Sequence, residues 1–200
     1  MSAEIRLATH RDAAGIAEIY RPIVVSTPIS FETEPPDERE FQRRIDETQP
    51  AYPWLVYQHG GRIAGYAYAS RHRARAAYAW SVDTSVYVHP DFHRRGIGRG
   101  LYLSLFQILM MQGYFNAYAG VTLPNPGSVG LHESLGFKAI GIYRNVGHKL
   151  GIWHDVGWWH LDLLPPVPTP RPPRWLDQIQ ADPVWPQVLA SGLSVIGGSA

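Results

Sequence analysis

The stretch that most restricts the fold of this chain runs Val86-Tyr87-Val88-His89-Pro90-Asp91-Phe92-His93-Arg94-Arg95-Gly96-Ile97-Gly98-Arg99-Gly100. A β-branched apolar run enters a glycine-rich turn, and an apolar helical pattern leaves it. Glycine lets a backbone turn tightly and approach a bound group closely. The first N–H groups of the following helix lack intrahelical partners and attract an anion. Arg94, Arg95 and Arg99 add charge-assisted donors. Residues 94–100 are therefore expected to cradle a pyrophosphate.

Two common cradles fail on spacing. A dinucleotide-binding turn opens early in a βαβ unit and has an acidic residue about 20 residues on. Here the turn follows strands that read as antiparallel, and residues 115–123 (Phe-Asn-Ala-Tyr-Ala-Gly-Val-Thr-Leu) contain no acid. No Gly-Lys-Ser/Thr follows the turn, so the Walker pattern is absent too.

Around the turn, residues 4–8 alternate as a strand, and 12–21 form an apolar-striped helix ended by Pro22 and Pro28. A charged helix is expected near 37–47. Strands follow at 54–57, 62–69 and 79–88, with His59-Gly60-Gly61 as a hairpin turn. The helix after Gly100 runs to about Gln112 with apolar residues on two faces, so it should be covered on most sides. A strand at 115–123, a short helix at 127–135 closed by Gly136, and strands at 138–144 and 152–163 complete the body. Pro165 to Pro173 is an extended, semi-rigid linker, and 174–200 either packs back as a short helix or stays mobile. The expected division is a domain over 1–163 and a proline-rich linker and tail over 164–200.

With 18 Lys+Arg against 17 Asp+Glu, the net charge of +1 argues against a nucleic-acid partner. No secretory signal and no membrane span are expected, and the lack of cysteine suits a reducing cytoplasm. His89 and His93 have metal-like spacing but no evident third ligand, so no metal is expected.

Arg95-x-x-Gly98-x-Gly100 after a strand ending in Val-x-Pro resembles the acetyl-CoA motif of GNAT N-acetyltransferases. Tyr52-Pro53-Trp54-Leu55-Val56, Ser85-Val86-Tyr87-Val88, Leu123-Pro124-Asn125-Pro126, His132-Glu133-Ser134-Leu135-Gly136-Phe137 and Trp153-His154-Asp155-Val156-Gly157 sharpen the likeness. They resemble phosphinothricin acetyltransferases and methionine sulfone/sulfoximine acetyltransferases, over about residues 4–163. The resemblance implies an α/β fold with a mixed, mostly antiparallel sheet splayed between its fourth and fifth strands, where acetyl-CoA lies. Cofactor contacts would come from Val86, Tyr87, Val88, Arg94, Arg95, Gly96, Ile97, Gly98, Arg99, Gly100 and Asn125. Local chemistry reads Asn125 equally well as a turn residue between prolines. The resemblance also implies a small amine substrate and a homodimer. Trp153, Trp158 and Trp159 are expected to build the core or a dimer surface.

Acetyl transfer needs an uncharged amine, so a group must accept a proton, and the oxyanion needs a donor such as a backbone N–H near Val88. Asp83 is an acid inside an apolar strand, which calls for explanation. The family has Glu there as proposed base, and Asp is one methylene shorter. Asp83 could instead be a solvated residue or a partner of Arg73 or Arg75. His132 matches a family histidine considered catalytic, although local chemistry reads it as a helix-surface residue. Arg73 and Arg75 could clamp an anionic substrate group, and the resemblance implies substrate contacts on their loop, which carries Tyr78, and at Phe31, with Thr84 and Ser85 as further candidates. His154 and Asp155 should face opposite sides of a strand. The competing readings are a non-catalytic acyl-CoA-binding module, and a protein-directed acetyltransferase that docks partners through its proline-rich tail.

Overall fold

The computed structural model describes residues 3–197. Its strands are β1 (Ala3–Leu7), β2 (Trp54–His59), β3 (Arg62–Arg71), β4 (Ser81–Val88), β5 (Asn116–Leu123), β6 (Lys138–Lys149) and β7 (Ile152–Asp162). They form one mixed sheet in the order β1-β2-β3-β4-β5-β7-β6. Every neighbouring pair is antiparallel except β4–β5. That parallel pair holds for three positions, Ser81↔Asn116, Val82↔Ala117 and Asp83↔Tyr118. Beyond them β4 stays on β3 as far as Gly65↔Val88, while β5 stays on β7 as far as Leu123↔Asp155. The sheet is therefore splayed between its fourth and fifth strands, as the resemblance implies.

The helices α1 (Ala13–Ser26) and α2 (Glu38–Thr48) cover one face of the β1–β4 half. There Ile16, Ile19, Tyr20, Phe41 and Ile45 pack on Trp54, Val56 and Tyr66. Helix α3 (Ile97–Gln112) covers the other face through Leu101, Leu105, Ile108 and Leu109. Helix α4 (Pro126–Ser134) follows β5, and the short helices α5 (Leu176–Gln180) and α6 (Trp185–Leu189) lie in the tail. Asp37 caps α2 by accepting the Glu40 N–H at 2.8 Å. Gly136 closes α4 in the left-handed region at φ 95°, with Phe137 N–H on His132 O at 3.1 Å.

Two elements differ from the sequence reading. Helix α1 runs through Pro22 to Ser26. Pro22 and Glu18, whose carbonyl loses its partner there, are both on the exposed face of the helix, where the lost bond costs least. Thr27 closes the helix by sending its N–H and hydroxyl to Ile23 O at 3.2 and 2.7 Å. Strand β6 extends to Lys149 rather than ending near Arg144, because a bulge between Tyr143 and Gly147 absorbs Asn145 at φ 49°.

Segment 174–197 packs back on the body. Arg174 N–H reaches Gln112 O at 2.7 Å, Leu176 N–H reaches Pro50 O at 2.9 Å, and Leu176 and Ile179 enter the α3 core. This second cover explains why α3 is apolar on two faces. The last described turn lies against the start of α3, where Gly192 N–H donates to Ser104 Oγ and Gly197 N–H to Arg95 O, both at 3.0 Å. A Cβ on Gly100 would stand 2.6 Å from Gly192 O and 2.6 Å from Ile196 Cγ1. The substitution Gly100→Ala is expected to overpack this contact by about 1–3 kcal/mol. A thermal melt should show it as a fall of roughly 2–4 °C per kcal/mol.

Candidate active site

The opening between β4 and β5 continues into a cleft at the mouth of α3. Its wider part, about 410 Å³, is lined by Val86, Val88, His93, Arg94, Gly96, Ile97, Gly98, Arg99, Asn125 and Leu131, among others. Gly96 caps α3 at φ 75°, and the first intrahelical bond runs from Gly100 N–H to Gly96 O at 2.9 Å. The amides before Gly100 thus have no partner within the helix and stand at the cleft. At Gly98 a Cβ would already lie 3.3 Å from Leu131 Cδ2, so glycine keeps this wall clear. These features fit the diphosphate of a coenzyme A thioester.

The cradle arginines differ in placement. Arg94 lines the cleft at φ 61°, and Arg99 reaches across to α4, donating to Ser134 O at 3.2 Å. Arg95 folds away over the Phe92 ring, its guanidinium carbon 5.1 Å from the centroid, and Gly100 faces the tail. Val86 and Val88 present backbone to the opening, but Val88 O bonds His93 Nε2 at 2.9 Å, so a ligand amide there must displace that ring. The Tyr87 ring turns to the α1 face, against Tyr20 and Tyr66. His89 accepts the Asp91 N–H at 3.2 Å. Among the described residues no group of three or more side chains could hold a metal.

A narrower chamber continues inward, lined by Ile29, Thr84, Ser85, Val86, Tyr87, Tyr102, Gly120, Val121, Thr122, Asn125, Ser128 and His132. Asn125 Oδ1 caps α4 by accepting the Ser128 N–H at 3.1 Å. Its turn role and its place on the cleft wall thus coexist, with the amide NH2 left for a ligand. His132 is buried, with Nδ1 2.7 Å from Ser128 O and Nε2 3.1 Å from the Tyr102 hydroxyl. The carbonyl can only accept, so Nδ1 carries the proton and Nε2 accepts from Tyr102. Burial holds His132 below the ordinary histidine range, against the pull of the Ser128 bond, and raises the Tyr102 phenol.

Asp83 stands at the last paired position of the parting strands. Strand alternation turns Val82 and Thr84 toward α3, so Asp83 and Ser85 face the α1–α2 side, opposite His132. The partner of Asp83 is neither Arg73 nor Arg75 but His72, with Nδ1 2.7 Å from Oδ1. Burial raises the Asp83 carboxyl, and His72 and Arg73 oppose that rise. Arg73 lies over the Trp158 ring at 5.7 Å, while Arg75 and Tyr78 are exposed on the same loop. Thr84 donates to Tyr118 O at 3.3 Å. Phe31 lies on β6 at Gly147 and near His154, on the same side as buried Lys149, whose Nζ donates to Ser30 O at 2.6 Å. His154 and Asp155 point apart, His154 to Lys149 O at 3.0 Å and Asp155 to Arg144 at 2.6 Å.

Sequence reasoning missed His72 and Tyr102. His72 sits among basic residues and reads as charge, and Tyr102 follows the apolar helical period and reads as core.

A sheet opened beside an uncapped helix mouth, with a buried proton-carrying pair at its inner end, defines a coenzyme A-dependent acyltransferase. Residues 5–158 match the model of the acetyltransferase (GNAT) domain, and the chain belongs to that family as an acetyl-CoA-dependent N-acetyltransferase. It is 42% identical over 176 residues to a phosphinothricin N-acetyltransferase of Streptomyces viridochromogenes, covering 88% of this chain and 96% of that relative. It is 34% identical over 172 residues to an L-methionine sulfoximine/L-methionine sulfone acetyltransferase of Pseudomonas paraeruginosa, covering 85% and 100%. The crystal structure of a phosphinothricin acetyltransferase from Sinorhizobium meliloti in complex with AcCoA matches with a TM-score of 0.79 at 32% identity, covering 88% of this chain and 99% of that one.

The lowered His132 makes a pH prediction. A histidine held neutral in the folded state adds stability that is complete above its ordinary value near 6.5. That contribution is lost as pH falls from there through the lower folded value, because the unfolded chain takes up the proton first. Melting temperature should therefore fall as pH drops from about 7 to 5, and more shallowly in His132→Gln.

Proposed function

We propose that the chain acetylates the amino group of a small, amino-acid-like substrate of the phosphinothricin or methionine sulfone/sulfoximine type. The observation that carries this reading is the parting of β4 and β5 directly after Asp83, between the α3 mouth and the α1–α2 side. When bound, acetyl-CoA supplies the activated acetyl thioester. The amides at Gly96–Arg99, with Arg94 and Arg99, hold its diphosphate, and Asn125 and the backbone at Val86–Val88 hold its pantetheine arm. The backbone N–H near Val88 faces the developing oxyanion. Asp83 takes a proton from the substrate ammonium, and the amine attacks the thioester directly, since the chain has no cysteine. Tyr102, backed by His132, protonates the departing thiolate. Arg73, Arg75, Tyr78 and Phe31, with Ser85 on the same face as Asp83, line the substrate side, while Thr84 faces the Tyr102–His132 chamber.

Trp80 Nε1 donates to Arg171 O at 2.7 Å, which ties the proline segment to the body near its end.

A screen of coenzyme A release with phosphinothricin, methionine sulfone, methionine sulfoximine and a peptide amine tests the reading. Turnover with one of the first three and little with the peptide is expected, and the reverse order would overturn it. Gly98→Val, which pushes into Leu131 and the cradle, should raise the KM for acetyl-CoA about 10-fold or more and leave the amine KM near wild type.

The same reading extends to a cytoplasmic homodimer, cytoplasm being a compartment that supplies acetyl-CoA. The β6–β7 hairpin presents Ile142, Val146, Leu150, Ile152 and Trp153, and Trp153 is 62% exposed. Several large apolar side chains exposed on one hairpin mark an interaction surface. Analytical ultracentrifugation should give a dimer for the wild type and a monomer for Trp153→Asp.

A further inference from the structure

Asp83 is supported by a neighbour that the acetyl-transfer reading does not use. His72, in the loop between β3 and β4, directs Nδ1 at Asp83 Oδ1 from 2.7 Å. Its ring lies flat on Tyr118 of β5, centroids 4.3 Å apart at 15°. The rings of Tyr78 and Trp158 meet it edge-on at 5.9 and 6.4 Å. Contacts from three directions hold one ring orientation. The His72 side chain is 11% exposed and that of Asp83 29%, so the carboxylate rather than the imidazole meets the opening.

An ionised carboxylate only accepts hydrogen bonds, so Nδ1 carries the proton between the two residues. One carboxylate oxygen is thereby occupied and oriented, and the other is left toward the site. We propose that His72 is a positioning residue for acetyl transfer: through Nδ1–H it fixes Asp83 Oδ1 and aims Oδ2 at the substrate ammonium.

This inference rests on the acetyl-transfer reading with Asp83 as proton acceptor. The ammonium gives one proton to Asp83 Oδ2, and the freed nitrogen lone pair bonds to the thioester carbonyl carbon. The carbon–sulfur bond breaks, its electron pair goes to sulfur, Tyr102 gives sulfur its proton, and the second nitrogen proton restores Tyr102. Amide and thiol are formed, and Asp83 returns its proton to solvent. An aspartate has one methylene fewer than a glutamate with which to reach the nitrogen, so its direction matters more. A fixed partner also removes rotamer freedom that the short carboxylate would otherwise have.

The groups facing Asp83 give the sign of a pH effect. Burial raises its carboxyl, while His72 and Arg73 from the loop lower it. Tyr68 of β3 and Tyr118 of β5 stand nearby with phenols raised by burial, Tyr78 of the loop meets the His72 ring, and His160 lies behind Tyr118 at 4.9 Å. Removal of the Nδ1–H leaves burial less opposed, so the carboxyl rises further. The acidic limb of the kcat/KM profile should move to higher pH.

The test compares His72→Phe, His72→Asn and Asp83→Asn in the full chain. Phe keeps the ring stack and loses the donor, and Asn keeps an N–H donor at the same branch of the side chain. His72→Phe is expected to lower kcat by about 10-fold or more, with unchanged acetyl-CoA affinity by calorimetry. Its acidic limb should shift up by roughly half a unit or more. His72→Asn should recover most of both. An unshifted acidic limb in His72→Phe, or equal profiles for Phe and Asn, would overturn the role of His72 alone. A wild-type rate in Asp83→Asn would remove Asp83 and His72 together. Wild-type protein that binds acetyl-CoA but acetylates no amine would overturn the acetyl-transfer reading itself.

Discussion

Beyond the Asp83–Tyr118 pair, β4 and β5 go separate ways, and the rest of the site depends on that parting. A continuous sheet would bury the β4 backbone in ladder bonds and leave no route between its two faces. Because β5 is held by β7 along its whole length and β4 by β3, neither strand frays when the pairing between them stops. Thr84 marks the end of the contact by donating to Tyr118 O. The opening is therefore framed by two rigid ladders, which suits a site that must hold two reactants in register.

Each side of the opening carries a different hydrogen-bonded pair of titratable groups. His132 and Tyr102 lie on the α3 side, with both imidazole nitrogens engaged and the ring kept neutral by burial. Asp83 and His72 lie on the α1–α2 side, where burial raises the carboxyl and a single bond holds it. The separation suits the proposed mechanism, in which one group receives a proton from an amine and another returns one to a thiolate, and different environments hold their pKa values apart. The tail adds a third constraint, since the segment at Gly192–Gly197 lies behind the cradle turn and restrains it from the side opposite the cleft.

Much of this was legible in the residues, and the failures have physical causes. Glycine spacing marked the turn because Gly96 takes a left-handed φ of 75° with Val195 O where a Cβ would press, and Gly98 keeps the wall toward Leu131 open. Pro22 misled because a missing helix bond costs least on the exposed face of a helix. Arg95 reads as a phosphate ligand by sequence, yet its guanidinium finds the Phe92 ring. Tyr102 was hidden because an aromatic residue at helical spacing has the same pattern whether it fills a core or lines a chamber.

The sequence by itself determined the order of elements, the glycine turn and the acid at the start of the opening. These depend on local backbone freedom and on short-range periodicity, which residues carry with them. Only the tertiary structure decided which partner meets Asp83, which arginines face the cleft, and where the tail lies. Those outcomes are contacts between segments far apart in the chain, such as β4 with β5 and the start of α3 with the last turn. Competition among packed neighbours settles them, and no single stretch of residues encodes it.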